Sequence, residues 1–364
     1  MIIAGGGTGG HLFPGVAIAE TFLKRDPTND VLFVGTGRPL ERRVLDGYGF
    51  AYRTIQVEGI KGRGWMKVLK ALTKIPLSLA QSMAILRSYR PQVVLGVGGY
   101  AAGPVLLTAS FLGFPTAIAE QNALPGVTNR ILGRFVDRVF LSFPDDRVVF
   151  PKKKVMVTGN PVRSDLIERA RWAEKNRSER FTVFVFGGSQ GAHIINTTMV
   201  ETLDLLEDLK DAVFFIHQTG EADYAYVAEA YEKRSFAAEV KPFIVEMAEA
   251  YGRADLLVCR AGATTVAEIT ALGKAAIFVP FAQAVGDHQT MNARLLVEAG
   301  AAEMIQERDL SPKALADAIF RLYRDREAIS RLASRAKALG NPQAADDIVD
   351  ALYELMASKG KRGS

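Results

Sequence analysis

One structural unit occurs twice in this chain, and that repeat restricts the fold more than any other feature. Met1-Ile-Ile-Ala runs into Gly5-Gly-Gly-Thr-Gly-Gly-His11 and then into a helical pattern. Phe181-Thr-Val-Phe-Val-Phe runs into Gly187-Gly-Ser-Gln-Gly-Ala-His193 and then into another. A strand with no polar face has to be covered on both sides, as parallel strands are in α/β sheets. Further apolar runs fall at 31–35, 93–97, 116–119, 138–142 and 155–158, then at 213–217, 255–259 and 276–279, with helical patterns between them. The alternation predicts an α/β fold of two Rossmann-like, doubly wound parallel-sheet domains. Functional loops are then expected at the carboxyl ends of the strands. The turn signal Gly159-Asn-Pro-Val-Arg163 divides the chain into domains at 1–159 and 160–339. Gly340-Asn-Pro342 starts a last segment, 340–364, whose helix from Gln343 to Ala357 is expected to pack back on the first domain.

Composition excludes other classes. With 48% hydrophobic and 23% charged residues, the chain is neither disordered nor a repeat fibre. Its 364 residues suffice for two cores. The single cysteine, Cys259, cannot form an internal disulfide, which points to a reducing compartment. A formal charge of +5 favours anionic partners such as phosphates, nucleotides or a membrane surface. The start lacks a basic n-region and does not read as a secretory signal. Pro91 to Ala119 carries no charge and is long enough to span a bilayer. Gly98-Gly-Tyr-Ala-Ala-Gly-Pro104 and Gly113-Phe-Pro115 break it into strand, loop, short helix and strand instead.

Gly5-x-Gly7-x-x-Gly10 formally matches a dinucleotide fingerprint, which also requires an acid at the end of the second strand. That strand ends in Gly35-Thr36, and Glu41 lies beyond Pro39 in the next helix, which argues against NAD. The loops still offer backbone N–H groups and helix N-termini to anions. Gly5–Gly10, Gly98–Gly103 and Gly187–Gly191 therefore read as phosphate sites, and two of them match across the halves.

A longer series of motifs carries a family resemblance. It comprises Gly6-Gly-Thr-Gly-Gly-His11-x-x-Pro14, Gly98-Gly-Tyr-x-x-Gly-Pro104, Glu120-Gln-Asn122 and Gly159-Asn-Pro-Val-Arg163. Gly187-Gly-Ser-Gln-Gly-Ala192, His217-Gln-Thr-Gly220, Cys259-Arg-Ala-Gly-Ala-Thr-Thr-Val-Ala-Glu268 and Asp287-His-Gln-x-x-Asn-Ala293 complete it. In this order, and over nearly the whole chain, they resemble the MurG family of glycosyltransferases. The resemblance implies a GT-B fold, its two domains facing across a cleft. It implies an inverting transfer of N-acetylglucosamine from UDP-N-acetylglucosamine to the muramyl 4-hydroxyl of lipid I, forming lipid II. No tightly bound cofactor is implied, and no Asp-x-Asp or cysteine cluster suggests a metal.

The resemblance also implies roles. An inverting transfer needs a base for the attacking hydroxyl, and His11 is its candidate. Its position at a helix entry disfavours an imidazolium. The competing role for His11 is a hydrogen bond to a lipid phosphate or to its own loop. Gly7, Gly98, Gly99, Tyr100 and Gly103 are the acceptor-diphosphate loops. Donor binding is assigned to Thr8, Gly9, Gly10, Asn122, Gln190 and Thr264, among others. Ser189, the Gly187–Gly191 amides and Arg163 would hold the departing diphosphate, with a linker ion pair as the other reading of Arg163. Glu268 matches the residue that holds the ribose, against a plain first-turn Glu. Ile244 matches the backbone reader of the uracil, and Gln289 the reader of the sugar hydroxyls. Family members often carry two glutamines where this chain has Gln289-Thr290, so that register stays open by one residue. His193 reads as structural, His217 as ordering the Gln218-Thr-Gly loop, and His288 as orienting its own loop.

A polyprenyl acceptor stays in its membrane, so the enzyme has to come to it. From Gly59 to Ala119 there is no Asp or Glu, while basic residues continue. Trp65, Lys67, Leu69, Lys70, Leu72, Lys74, Ile75 and Leu77 have the composition of a surface that dips into anionic lipid. The alternative is a core helix with a solvated lysine face. The expected location is the cytoplasmic face of the bacterial inner membrane, peripherally bound, with other cell-wall synthesis proteins as further partners. Nucleic acid is not an expected partner, because the basic stretch is mostly aliphatic. Another UDP-sugar GT-B enzyme, a diacylglycerol glycosyltransferase or a UDP-N-acetylglucosamine epimerase, is the alternative function.

Overall fold

The computed structural model describes residues 1–57, 74–144, 149–175, 179–282 and 287–360. They form two compact units, Met1–Arg163 with Asn341–Ser364, and Ser164–Gly340.

The first unit holds a seven-stranded sheet of β1 (Ile2–Gly5), β2 (Leu32–Gly35), β3 (Ala51–Thr54), β4 (Val94–Gly98), β5 (Thr116–Glu120), β6 (Arg138–Leu141) and β7 (Val155–Val157). Its order is β3-β2-β1-β4-β5-β6-β7, and every pairing is parallel. Strand periodicity divides its apolar residues between two cores. Ile3, Phe33, Leu95 and Val97 pack on one face with the helix Gly9–Arg25, while Ile2, Ala4, Val34 and Val94 pack on the other with the helix Ala102–Phe111. The uncharged stretch from Pro91 to Ala119 is therefore β4, that second helix and most of β5. Among the described residues no helix is long and apolar enough to cross a membrane.

The helix Ala344–Gly360 belongs to the first unit. Ile348, Val349, Leu352 and Leu355 complete the core that the helix Gly9–Arg25 lines. Polar contacts fix its direction: Arg25 to Asp350 at 2.8 Å, Lys359 to Asp137 at 2.8 Å, and Asn29 Nδ2 to the Tyr353 hydroxyl at 2.7 Å.

The second unit repeats the plan with β8 (Phe181–Phe186), β9 (Val213–Gln218), β10 (Ala238–Lys241), β11 (Leu256–Cys259), β12 (Ala275–Phe278) and β13 (Glu303–Met304). The order is β10-β9-β8-β11-β12-β13, again all parallel. β3, β10 and β13 carry no continuous apolar run, and the sequence does not announce them. All three are sheet edges with half-exposed side chains, where a strand needs only one partner and no double cover. In each sheet the order reverses between the two central strands, β1 and β4 or β8 and β11. Loops leaving the carboxyl ends of such a pair splay apart and leave a crevice.

Candidate functional site

In the first unit the loops after β1 and β4 touch through their backbones. Gly6 N–H donates to the Gly98 carbonyl at 3.2 Å. A Cβ on Gly99 would stand 2.5 Å from the Gly6 carbonyl oxygen, and one on Gly5 would stand 2.3 Å from that of Gly98. Gly98 and Gly99 also have φ of +92° and +84°, which side chains disfavour. Of the glycines expected to hold a diphosphate, Gly98 and Gly99 thus meet the loop after β1 at the first switch point and Gly7 follows Gly6 in that loop, with Tyr100 exposed and Gly103 in the first turn of its helix. Thr8 caps the helix Gly9–Arg25 without using its hydroxyl, and Gly10 is exposed beside it.

His11 lies in that helix's first turn, its Nδ1 3.1 Å from Gln121 Oε1. The Glu120-Gln-Asn122 segment leaves β5. Its Glu120 carboxylate is buried and accepts from Asn122 N at 3.0 Å, Gly126 N at 2.9 Å and Asn129 Nδ2 at 2.9 Å. A carboxylate satisfied by N–H donors holds a loop in one shape. Asn122 is presented on that rigid loop.

The end of β2 differs from the sequence expectation. Glu41 sits in the helix Pro39–Gly47, but its carboxylate returns to the strand end. It accepts from Thr36 N at 3.0 Å, Gly37 N at 2.8 Å and Arg38 N at 3.1 Å, and from the Tyr52 hydroxyl. Burial, reinforced by this contact, pushes the Tyr52 hydroxyl pKa up. An acid therefore does stand where a dinucleotide ribose would bind, but it is 1% exposed and saturated by its own loop.

Arg163 ends the first unit. Its guanidinium bonds the Tyr48 hydroxyl and lies 5.1 Å from the centre of the Phe13 ring. Thr8, Gly9, Gly10, Asn122 and Arg163, which the resemblance gave to the donor, all belong to this unit. Trp65, Lys67, Leu69, Lys70 and Leu72 lie outside the described residues. Lys74, Ile75 and Leu77 open the helix Ile75–Tyr89, where Ile75 and Leu77 are exposed.

In the second unit the loop after β8 carries Ser189 and Gln190, both exposed. It is wedged against the loop after β9: a Cβ on Gly191 would fall 1.8 Å from the Thr219 carbonyl oxygen. Gln218 joins three elements. Its Nε2 donates to the Gly188 carbonyl at 2.9 Å, and its Oε1 accepts from Ile244 N at 2.7 Å. Ile244, matched to the uracil reader, thus has its N–H committed to Gln218. Behind the loops, Asn196 Nδ2 donates to the Thr219 carbonyl and to Asp223, so its Oδ1 faces His217 Nε2 at 3.1 Å. The other nitrogen of His217 meets the Tyr231 hydroxyl at 3.2 Å. His217 orders the Gln218-Thr-Gly loop through Asn196.

Thr264 and Glu268 share one face of the helix Ala263–Leu272, which starts at the second switch point. Buried Tyr251 donates to Glu268 Oε2 at 2.8 Å and aims the carboxylate. Burial, and then the charge of Glu268, pushes the Cys259 thiol pKa up, which disfavours the thiolate. Gln289 Oε1 accepts from Phe281 N at 3.0 Å, and Asn292 Nδ2 donates to the Ala261 carbonyl at 3.1 Å. Sequence reasoning did not single out Gln121, Gln218, Asn196, Tyr251 or Asn292. Their only signal was position inside or beside the motifs. Among the described residues no group of three His, Cys, Asp or Glu is placed to hold a metal ion.

Comparison with known proteins agrees with this layout. The model of the glycosyltransferase family 28 N-terminal domain matches residues 1–141, and that of the family 28 C-terminal domain matches residues 182–350. The protein named UDP-N-acetylglucosamine--N-acetylmuramyl-(pentapeptide) pyrophosphoryl-undecaprenol N-acetylglucosamine transferase in Syntrophus aciditrophicus (strain SB) is 56% identical over 356 residues, 98% of this chain and 98% of its own. The protein of the same name in Myxococcus xanthus (strain DK1622) is 49% identical over 98% of this chain and 93% of its own. The crystal structure of Acinetobacter baumannii MurG aligns with a TM-score of 0.76 at 32% identity, covering 97% of this chain and 98% of that one. UDP-GlcNAc 2-epimerase from Neisseria meningitidis, bound to UDP-GlcNAc, has a TM-score of 0.68 at 13% identity over 97% and 99% of the two chains, a likeness of fold alone.

Burial holds the His217 pKa down at about 3. Below the ordinary value of 6.5, the unfolded chain therefore binds a proton that the folded chain refuses. Its contribution to stability is intact above pH 6.5 and is lost as pH falls toward 3, at about 1.4 kcal/mol per pH unit. Urea unfolding of the wild type and of His217→Gln at pH 7 and pH 5 checks this. The wild type is expected to lose about 2 kcal/mol more than the variant over that interval. Equal losses would mean that His217 is charged in the folded protein.

Proposed function

The chain belongs to glycosyltransferase family 28, in its MurG branch, and from that premise we propose how its loops carry the reaction. It is a hexosyltransferase that moves N-acetylglucosamine from UDP-N-acetylglucosamine to a lipid-linked acceptor, lipid I, giving lipid II in peptidoglycan synthesis. The observation that carries this assignment is 56% identity over 98% of both chains with a transferase of that name, whereas the epimerase shares only the fold. The direct test incubates the protein with UDP-N-acetylglucosamine and lipid I and looks for a disaccharide lipid and UDP. Conversion of the donor without acceptor would move the chain to the epimerases.

On our reading the glycine loops of the first unit hold the acceptor diphosphate, supported by the N–H groups and helix N-termini gathered at its switch point. His11 removes the proton of the muramyl 4-hydroxyl as that oxygen attacks the anomeric carbon. The Gly187–Gly191 loop, Ser189 and Gln190 stabilise the departing diphosphate by fixed dipoles. Arg163 adds a cation by exchanging the Tyr48 hydroxyl for a phosphate oxygen. Glu268, aimed by Tyr251, accepts from the ribose hydroxyls, with Thr264 one turn away on the same face. With its N–H given to Gln218, Ile244 reads the uracil through its carbonyl. Gln289 reads the sugar, and Asn122 helps place the reacting groups. Thr8, Gly9 and Gly10 are further donor-binding residues on this reading.

Two substitutions separate these roles. His11→Ala is expected to lower turnover by roughly a hundred- to ten-thousand-fold while UDP affinity, measured by calorimetry, barely changes. Near-normal turnover would remove His11 as the base. Glu268→Ala is expected to weaken UDP binding, since each charge-assisted bond to the ribose contributes about 1.5–3 kcal/mol. Unchanged affinity in a folded variant would refute the ribose role.

We also propose peripheral binding at the cytoplasmic face of the inner membrane, through the segment from Trp65 to Leu77, where other cell-wall enzymes would be neighbours. Exposure of Ile75 and Leu77 next to Lys74 supports it. Flotation with anionic liposomes checks this. Changing Lys67, Lys70 and Lys74 to Glu is expected to abolish salt-sensitive binding, because each lysine near the surface contributes about 1 kcal/mol. Persistence of binding would place the patch elsewhere.

A further inference from the structure

Gln121 is buried at the end of β5, 1% exposed, and its amide has two neighbours. Nε2 donates to the Ala119 carbonyl at 3.2 Å, and Oε1 faces His11 Nδ1 at 3.1 Å. A backbone carbonyl only accepts, so it decides which way the amide points. Turned over, the amide would set its oxygen against the Ala119 oxygen. The Ala119 carbonyl is itself held, accepting from Asn129 Nδ2 at 3.3 Å.

The consequence falls on the imidazole. Gln121 Oε1 has no proton to give, so Nδ1 must supply the hydrogen of this bond. A neutral ring has one such hydrogen, which leaves Nε2 with a bare lone pair. Gly98 makes room for the ring beside the loop: a Cβ there would fall 2.6 Å from Nδ1. We propose that Gln121 is a positioning residue that holds His11 in the tautomer whose Nε2 is the base. This rests on the reading of His11 as the base. An amide suits the task better than a carboxylate, which would favour an imidazolium that cannot take a proton.

Nitrogen NMR of the full-length protein labelled with 15N-histidine, at a pH where the ring is neutral, reads the tautomer without reference to activity. The His11 signals are assigned by their loss in His11→Ala. The wild type is expected to show a protonated Nδ1 and a bare Nε2. Gln121→Met removes the acceptor and is expected to abolish that preference. It should also lower kcat about tenfold or more, with KM for UDP-N-acetylglucosamine unchanged. A wild-type proton on Nε2, or full kcat in Gln121→Met, overturns the proposal. Full turnover in His11→Ala with the expected wild-type tautomer would instead overturn the base and leave the Gln121 contact standing.

Discussion

Backbone against backbone at the strand ends is the contact on which the rest depends. Gly5 and Gly99 meet the loop of the neighbouring strand in the first unit, and Gly191 and Gly220 do so in the second, at distances no Cβ tolerates. Close approach brings two loops of a sheet into one small volume, where a side chain would clash with backbone. Side chains prop the approach in the second unit, Gln218 under Gly188 and Asn196 behind Thr219.

The same economy governs charge. The buried carboxylates of Glu41 and Glu120 are held largely by N–H donors of their own loops. His217 is kept neutral by burial. Carboxylates held this way draw on backbone donors rather than on spare cations, and they tie each loop to the strand it leaves.

The sheets were legible where physics forces a simple pattern. β1, β4, β5 and β8 are covered on both faces and so read as unbroken apolar runs. β3, Ala-Tyr-Arg-Thr, and β10, Ala-Glu-Val-Lys, are edges whose strand character comes from one neighbour's hydrogen bonds. No residue type in them records that neighbour. Glu41 was legible as helical, but the last donor to its returned carboxylate is Tyr52 from β3, a strand the sequence did not announce.

By itself the sequence determined the α/β class, the duplication and the glycine loops, because these rest on local periodicity and on backbone conformations that glycine alone adopts readily, and its motifs carried the family resemblance. It also brought forward His11, Ser189, Glu268 and Gln289 through motifs. Tertiary structure alone decided which side chains meet them. Gln121 reaches His11 across 110 residues, and Tyr251 reaches Glu268 from a different helix. It also decided that Arg163 rests on Tyr48 and Phe13 within the first unit. Such contacts are set by the register of parallel strands and the packing of their crossover helices. That information is spread over the whole sheet rather than carried by any stretch of residues.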